Sequence, residues 1–146
     1  MPDIPTECSG LAELFPEHVH LVCMRVTDTP PPVLNTEQPL IEKAVAKRRR
    51  EFSIGRCCAR QALGKLGFTN TPILHNQNGA PMWPEGIVGS ITHSSTYAAA
   101  AVAEDSRLRG LGIDMETVSR VSTRITDKVL TCLLYTSDAA DECCGV

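Results

Sequence analysis

From His18 to Val26 apolar and polar positions alternate, with His20, Val22, Met24 and Val26 on one side. That period of two predicts a strand. A stiff loop follows, from Asp28 to Asn35, carrying Pro30, Pro31 and Pro32. Thr36 is placed to cap a helix with Pro39 in its first turn. The helical pattern then runs to about Leu66, with Gly67 as its stop and Gly64 weakening the last turn. Pro72 to His75 and Pro81 to Trp83 read as short extended pieces around a turn at Asn78-Gly79. Val88 to Ser94 reads as a strand, followed by a tight turn. Tyr97 to Glu104 contains an alanine run that propensity alone would make helical. Between strand-like neighbours it reads instead as a buried strand of small residues. Leu111 to Glu116 is expected to be a further strand, and residues 1–17 are expected to be irregular.

On a helical wheel, Ile41, Val45, Phe52, Ala59, Leu63 and Leu66 form one apolar stripe. Arg48 falls in that stripe, Arg56 lies at its edge, and Arg49 and Arg60 flank it. An arginine facing a core requires an anion or a carboxylate, because burying it unpaired is very costly. The alternatives are snorkelling to solvent, or a kink that turns the first half of the helix outward.

The chain has 146 residues, enough for one ordinary domain. Its formal charge is −3, from 14 basic and 17 acidic residues, so no global field favours nucleic acid. Eight of the 14 basic residues, however, lie between Lys43 and Lys65. No apolar run is long enough for a membrane span, and the first residues do not read as a secretory signal. The seven cysteines are odd in number and include the adjacent pairs Cys57-Cys58 and Cys143-Cys144. They do not read as a disulfide framework or a zinc site, and a reduced, cytoplasmic protein is expected.

Three groups of residues could carry chemistry. On a strand, Asp114 and Glu116 share one face while Leu111, Ile113 and Met115 share the other. Two carboxylates at that spacing can converge on a hard cation such as Mg²⁺, which takes further ligands from water and phosphate. A polar strand face in solvent is the commoner fate of a lone Asp-x-Glu. Ser90-Ile91-Thr92-His93-Ser94 sets an imidazole among hydroxyls just before a turn, and could donate to an anion. A lone histidine is more often structural. Arg48, Arg49, Arg56 and Arg60 could clamp phosphates by forked hydrogen bonds, or could form a solvated charged face. Aromatic residues make up only 4% of the chain, too few for stacking platforms on single strands. Together these groups describe a pocket for a phosphorylated ligand, with a cation held by two acids and facing guanidinium groups across one gap.

In order and spacing, several motifs resemble the 4′-phosphopantetheinyl transferases of the larger, Sfp/EntD-like class, actinobacterial type. They are Ala46-Lys47-Arg48-Arg49-Arg50-Glu51-Phe52 with Gly55-Arg56, Cys58-Ala59-Arg60-Gln61-Ala62-Leu63, Gly79-Ala80-Pro81-Met82-Trp83-Pro84, Gly89-Ser90-Ile91-Thr92-His93-Ser94, and Gly112-Ile113-Asp114-Met115-Glu116. The resemblance is best over residues 39–116. It implies transfer of phosphopantetheine from coenzyme A to a serine of an acyl or peptidyl carrier protein. By the same resemblance Arg48 and Arg56 hold coenzyme A phosphates, and Thr92 and His93 contact the nucleotide. Asp114 and Glu116 bind Mg²⁺, and His93, Asp114 and Glu116 form the catalytic set. His75 stands where the family often has a phosphate-binding lysine. The family's Lys-Glu helix, which supplies a third metal carboxylate, has no counterpart from Thr117 to Val146.

The implied fold is α+β, a first α/β half plus the opening strand of a second, pseudo-symmetric half. Residues 1–131 are expected to form an incomplete domain. Residues 132–142 resemble the read-through of a sequencing adapter, so 132–146 is expected to be a non-native tail. A domain so shortened is expected to be poorly soluble and inactive. Two other readings remain: a non-catalytic coenzyme A- or anion-binding fragment, and a nucleic-acid-binding module using the basic helix.

Overall fold

The computed structural model describes residue 8 and residues 10–116. The expected tail, 132–146, lies outside the described residues, as does all of the region compared with the Lys-Glu helix, Thr117 to Val146. Three strands, β1 (His20–Arg25), β2 (Ile87–His93) and β3 (Tyr97–Glu104), form one antiparallel sheet in the order β1-β3-β2. Among the described residues one α-helix, α1 (Ala46–Gly64), packs on one face. The architecture is therefore α+β.

The alanine run is the central strand. Ala98 to Ala103 are all buried, because β3 is covered on both edges and both faces. Small side chains let α1 come close, and Ala98, Ala100 and Val102 meet Ile54, Cys58, Ala59, Ala62 and Leu63 in the main core. The predicted side of β1 is also the observed one, since Val22, Met24 and Val26 all join this core. On the other face, Val19, Leu21, Ala101 and Ala103 pack against Leu11, Phe15, Leu111 and Ile113.

The long helix expected from Thr36 to Leu66 is instead two pieces. A 3₁₀ turn occupies Gln38–Leu40, and α1 begins only at Ala46. Ile41 packs in a separate cluster with Val33 and Phe52, while Val45 is exposed. The apparent stripe across residues 41–45 was thus produced by a turn, not a helix. Gly67 does act as the stop. It adopts φ of 93°, Phe68 N donates to Leu63 O, and Gly67 N donates to Gly64 O, the paired bonds of a Schellman ending.

One further expectation is corrected. Leu111 to Glu116 is not a ladder strand. Its inner residues dock through side chains, with Ile113 N donating to Ser90 Oγ (3.1 Å) and Met115 N donating to Thr92 Oγ1 (3.0 Å). The two hydroxyls alternate on β2, so they impose strand-like alternation without backbone pairing. Cys8 and Cys23 are brought side by side, sulfur facing sulfur. Both pack with Ala99 beneath the sheet, a proximity that sequence spacing does not announce. Cys57 and Cys58 are free, as their adjacency suggested. Burial pushes the Cys58 thiol up to about 12, with Cys57 adding to the shift, so it is inert.

Trp83, the chain's one tryptophan, lies over Gly89 of β2. A Cβ at Gly89 would stand 2.6 Å from the indole and 3.0 Å from Ala101 O. Gly89→Ala is therefore expected to destabilise the fold by about 1–3 kcal/mol and to alter tryptophan fluorescence. An unchanged melting temperature and emission spectrum would refute this packing.

Candidate functional site

Arg48, Glu51, Phe52, Gly55 and Arg56 of α1 form one wall of a cleft of about 140 Å³. Ile91 and His93 of β2 form the facing wall, and His75, Gly79 and Pro81 close one end. Gly55 makes the approach possible, since a Cβ there would lie 3.1 Å from Ile91 Cγ2. The 75–81 loop is held by Asn76, whose Oδ1 accepts from Asn78 N (2.8 Å) and Ala80 N (3.1 Å). His75 and Pro81 form an isolated bridge across it, which matches the expected extended pieces around a turn.

Within the cleft the four candidate anion donors differ in character. Arg56 is 7% exposed and stacks on Phe52 with its guanidinium carbon 4.3 Å from the ring centroid. Its Nε donates to Ile73 O at 2.7 Å. Burial lowers its pKa to about 10, Glu37 opposes that shift, and Arg48 and Arg60 add to it. Arg56 therefore stays charged at neutral pH in a poorly solvated place. Arg48 is exposed, so the core-facing position expected from the wheel is corrected: without a helix before Ala46, the first turn of α1 faces outward. Its Nη1 donates to His93 Nε2 at 3.0 Å. His93 Nδ1 lies 3.4 Å from Glu51 Oε2. His75 is exposed, with Nδ1 3.0 Å from Asn76 O.

Lys47, Arg48 and Arg49 occupy the first turn of α1, which holds no acidic residue. Cations at a helix N-terminus oppose the helix dipole, at roughly 0.3–1 kcal/mol each. An anion in the cleft would relieve that repulsion.

Two of the four candidate arginines, among the five on α1, serve the fold. Arg49 donates from Nε to Ala44 O and from Nη2 to Glu42 O, bracing the turn before α1. Arg60 Nη1 donates to both carboxylate oxygens of Glu37, at 2.8 and 2.7 Å. Glu37 is completely buried and also accepts from Leu34 N and Ile73 N. Arg49 and Arg60 are thereby engaged within the fold.

Thr92 and Asp114 are not in this cleft. Successive residues of β2 point to opposite faces, so His93 faces α1 while Thr92 faces away. Thr92 and Asp114 instead line a mainly apolar cavity of about 190 Å³ with Leu11, Leu14, Phe15 and Leu21. Thr92 Oγ1 donates to Asp114 Oδ1 (3.4 Å), and Met115 N donates to the same carboxylate oxygen (3.0 Å). The single gap expected between acids and guanidinium groups is thus two cavities, separated by the edge strand β2. Asp114 and Glu116 are exposed, alternating with half-buried Ile113 and Met115, as the period of two required. Among the described residues no three His, Cys, Asp or Glu side chains form a metal-binding group.

Sequence reasoning missed Glu37 and Glu51. Glu37 gave no signal, since its partners come from three distant segments. Glu51 gave one: it is the only acid in the basic run 47–50 and its sequel to Arg56, one turn from Arg48.

Residues 36–103, the stretch that builds α1 and most of the cleft, match the family model of the 4′-phosphopantetheinyl transferase N-terminal domain. Over that stretch the chain is similar to 4′-phosphopantetheinyl transferase N-terminal domains, the family its motifs resemble. It is 47% identical over 93 residues to the 4′-phosphopantetheinyl transferase Npt of Nocardia iowensis, covering 64% of this chain and 42% of that protein. It is 49% identical over 83 residues to the 4′-phosphopantetheinyl transferase PptT of Mycobacterium tuberculosis, covering 57% and 37%. Enterobactin synthase component D of Escherichia coli is 33% identical over 93 residues, covering 62% and 43%. The chain thus spans about two fifths of the length of these curated relatives.

Proposed function

We propose that this chain supplies the coenzyme A-binding part of a Mg²⁺-dependent 4′-phosphopantetheinyl transferase acting on a serine of an acyl or peptidyl carrier protein. The observation that carries the reading is the cleft in which Arg48, Arg56, His75 and His93 converge from a helix, a loop and a strand. Cationic and imidazole donors converging on one cleft suit phosphate groups. Arg56 provides a fixed, charged fork; Arg48 and the two histidines adapt to the ligand.

Asp114 and Glu116 would hold Mg²⁺, which would supply charge neutralisation to a diphosphate. Thr92 keeps Asp114 oriented rather than touching the nucleotide. An extended ligand would lie across the edge of β2, with one phosphate among the arginines and its diphosphate beside Asp114. The chain by itself would bind coenzyme A without transferring phosphopantetheine, because no Lys-Glu pair occurs in it to furnish the family's third carboxylate. Such a role places it in the cytoplasm, with coenzyme A and carrier proteins. Among the described residues no helix is long and apolar enough to cross a membrane.

Isothermal titration of the purified chain with coenzyme A, with and without Mg²⁺, tests the reading. Saturable binding that Mg²⁺ strengthens is expected, with little carrier labelling. Binding to DNA that ignores Mg²⁺ and weakens steeply with salt, without coenzyme A binding, would overturn it. Carrier labelling at the rate of a full-length relative would overturn the proposed inactivity alone.

A further inference from the structure

Glu51 is 8% exposed yet lies on the cleft wall with His93 and Arg48. Its neighbours fix the protonation of the His93 ring. Arg48 has only donors to offer, so His93 Nε2, 3.0 Å from Arg48 Nη1, must accept. A neutral ring then carries its proton on Nδ1, the nitrogen 3.4 Å from Glu51 Oε2. We propose that Glu51 is a positioning residue that holds His93 in this tautomer and supports a second proton, on Nε2, when a bound phosphate draws Arg48 away. The proposal rests on the anion-binding reading and adds its regulation: ligand entry is coupled to proton uptake.

The exchange balances simply. Before binding, Nε2 accepts from Arg48. An entering phosphate is a stronger acceptor than an imidazole nitrogen, and Arg48 is exposed and free to swing to it. Nε2 is then left without a donor beside an anion, and takes a proton from solvent. The resulting imidazolium donates from Nε2 to the phosphate and from Nδ1 to Glu51. Charges from every neighbouring element bear on it. From α1, Glu51 favours the imidazolium, whereas Arg48 and Arg56 oppose it. Lys47 Nζ, 4.0 Å from Glu51 Oε1, weakens the help that Glu51 gives. From the 75–81 loop, His75 lines the same cleft. From β3, the facing residue is Ala98, which carries no charge.

The test is ¹⁵N NMR of the histidine rings in the full chain, free and with 3′,5′-ADP or sulfate, the latter because it does not titrate near neutrality. The free protein is expected to show His93 neutral and protonated at Nδ1. Saturation with either probe is expected to protonate both nitrogens, with matching proton uptake in calorimetry across two buffers. Glu51→Gln should mix the tautomers in the free state and cut proton uptake at least about twofold. Glu51→Asp should restore part of both, and serves if the glutamine variant fails to fold. Lys47→Ala should leave the tautomer unchanged. A free ring protonated at Nε2, a bound ring that stays neutral, or an E51Q spectrum like that of the parent would each overturn the inference while leaving anion binding intact. Failure of the parent to bind either probe would overturn the anion-binding reading and the coupling, while the free-state tautomer still decides the role of Glu51.

Discussion

Glu37→Ala is expected to lower the stability of this chain by about 3–5 kcal/mol, the range seen when one partner of a buried ion pair is removed. The Glu37 side chain is wholly buried and gathers four hydrogen bonds from three parts of the chain. Leu34 N belongs to the loop before the 3₁₀ turn, Arg60 to α1, and Ile73 N to the segment leading into the cleft. Alanine would strand the Arg60 guanidinium, only 14% exposed, beside an empty space, and would leave two backbone N–H groups unpaired. A Glu37→Ala, Arg60→Met double variant is expected to recover much of the loss, because it removes the orphaned charge as well. The measurement is thermal unfolding, in which the single variant should lose more than about 10 °C. A loss of a degree or two would mean that the clasp adds nothing net.

The second large effect is expected at Arg56. Arg56→Ala should weaken the binding of 3′,5′-ADP by about 10–100-fold, the worth of one or two hydrogen bonds to a charged group. Arg48→Ala should cost less, since its guanidinium is exposed and screened by solvent. Arg49→Ala should leave binding unchanged, its donors being spent on the carbonyls of Glu42 and Ala44. Stability follows a defined sign. Burial lowers Arg56 to about 10 from its ordinary, higher value, so the unfolded chain holds its proton more tightly than the folded one. Folding therefore bears the cost of this charge at every pH below about 10, and relief grows only as the pH rises above that value. An anion in the cleft offsets the same cost at neutral pH. Saturating 3′,5′-ADP is thus expected to raise the melting temperature of the parent clearly and that of the Arg56→Lys variant less, because lysine lacks the fork. Equal shifts in both would show that Arg56 does not meet the ligand.

The two effects share a cause. Ile73 is tied at both ends of its peptide unit, its N–H to Glu37 and its carbonyl to Arg56. One buried carboxylate and one buried guanidinium thereby fix the strand of chain that carries His75 to the cleft. Coulombic attraction from Glu37 also steadies the charge on Arg56. Fold and site are built from one electrostatic chain running Arg60, Glu37, Ile73, Arg56.

The sequence by itself determined the three ladder strands and the helix stop, and it singled out Arg48, Arg56, His75 and His93, which the fold brings to one cleft. Alternation in 18–26 and the alanine run in 97–104 are local patterns, and sheet faces follow from a period of two whatever the partner. Gly67 ends α1 because its φ of 93° is open to glycine, again a local matter. Tertiary structure alone decided which arginines are available. Arg49 and Arg60 look like Arg48 and Arg56 on a wheel, and only contacts with Glu42, Ala44 and Glu37 set them apart. It also decided where the helix begins, since Ile41 continues the helical period while packing against Val33 outside any helix. Finally, it set Thr92 and Asp114 across β2 from His93. Adjacent residues in a strand share a place in the sequence and not a face, so a motif that is contiguous along the chain is divided between two surfaces in space.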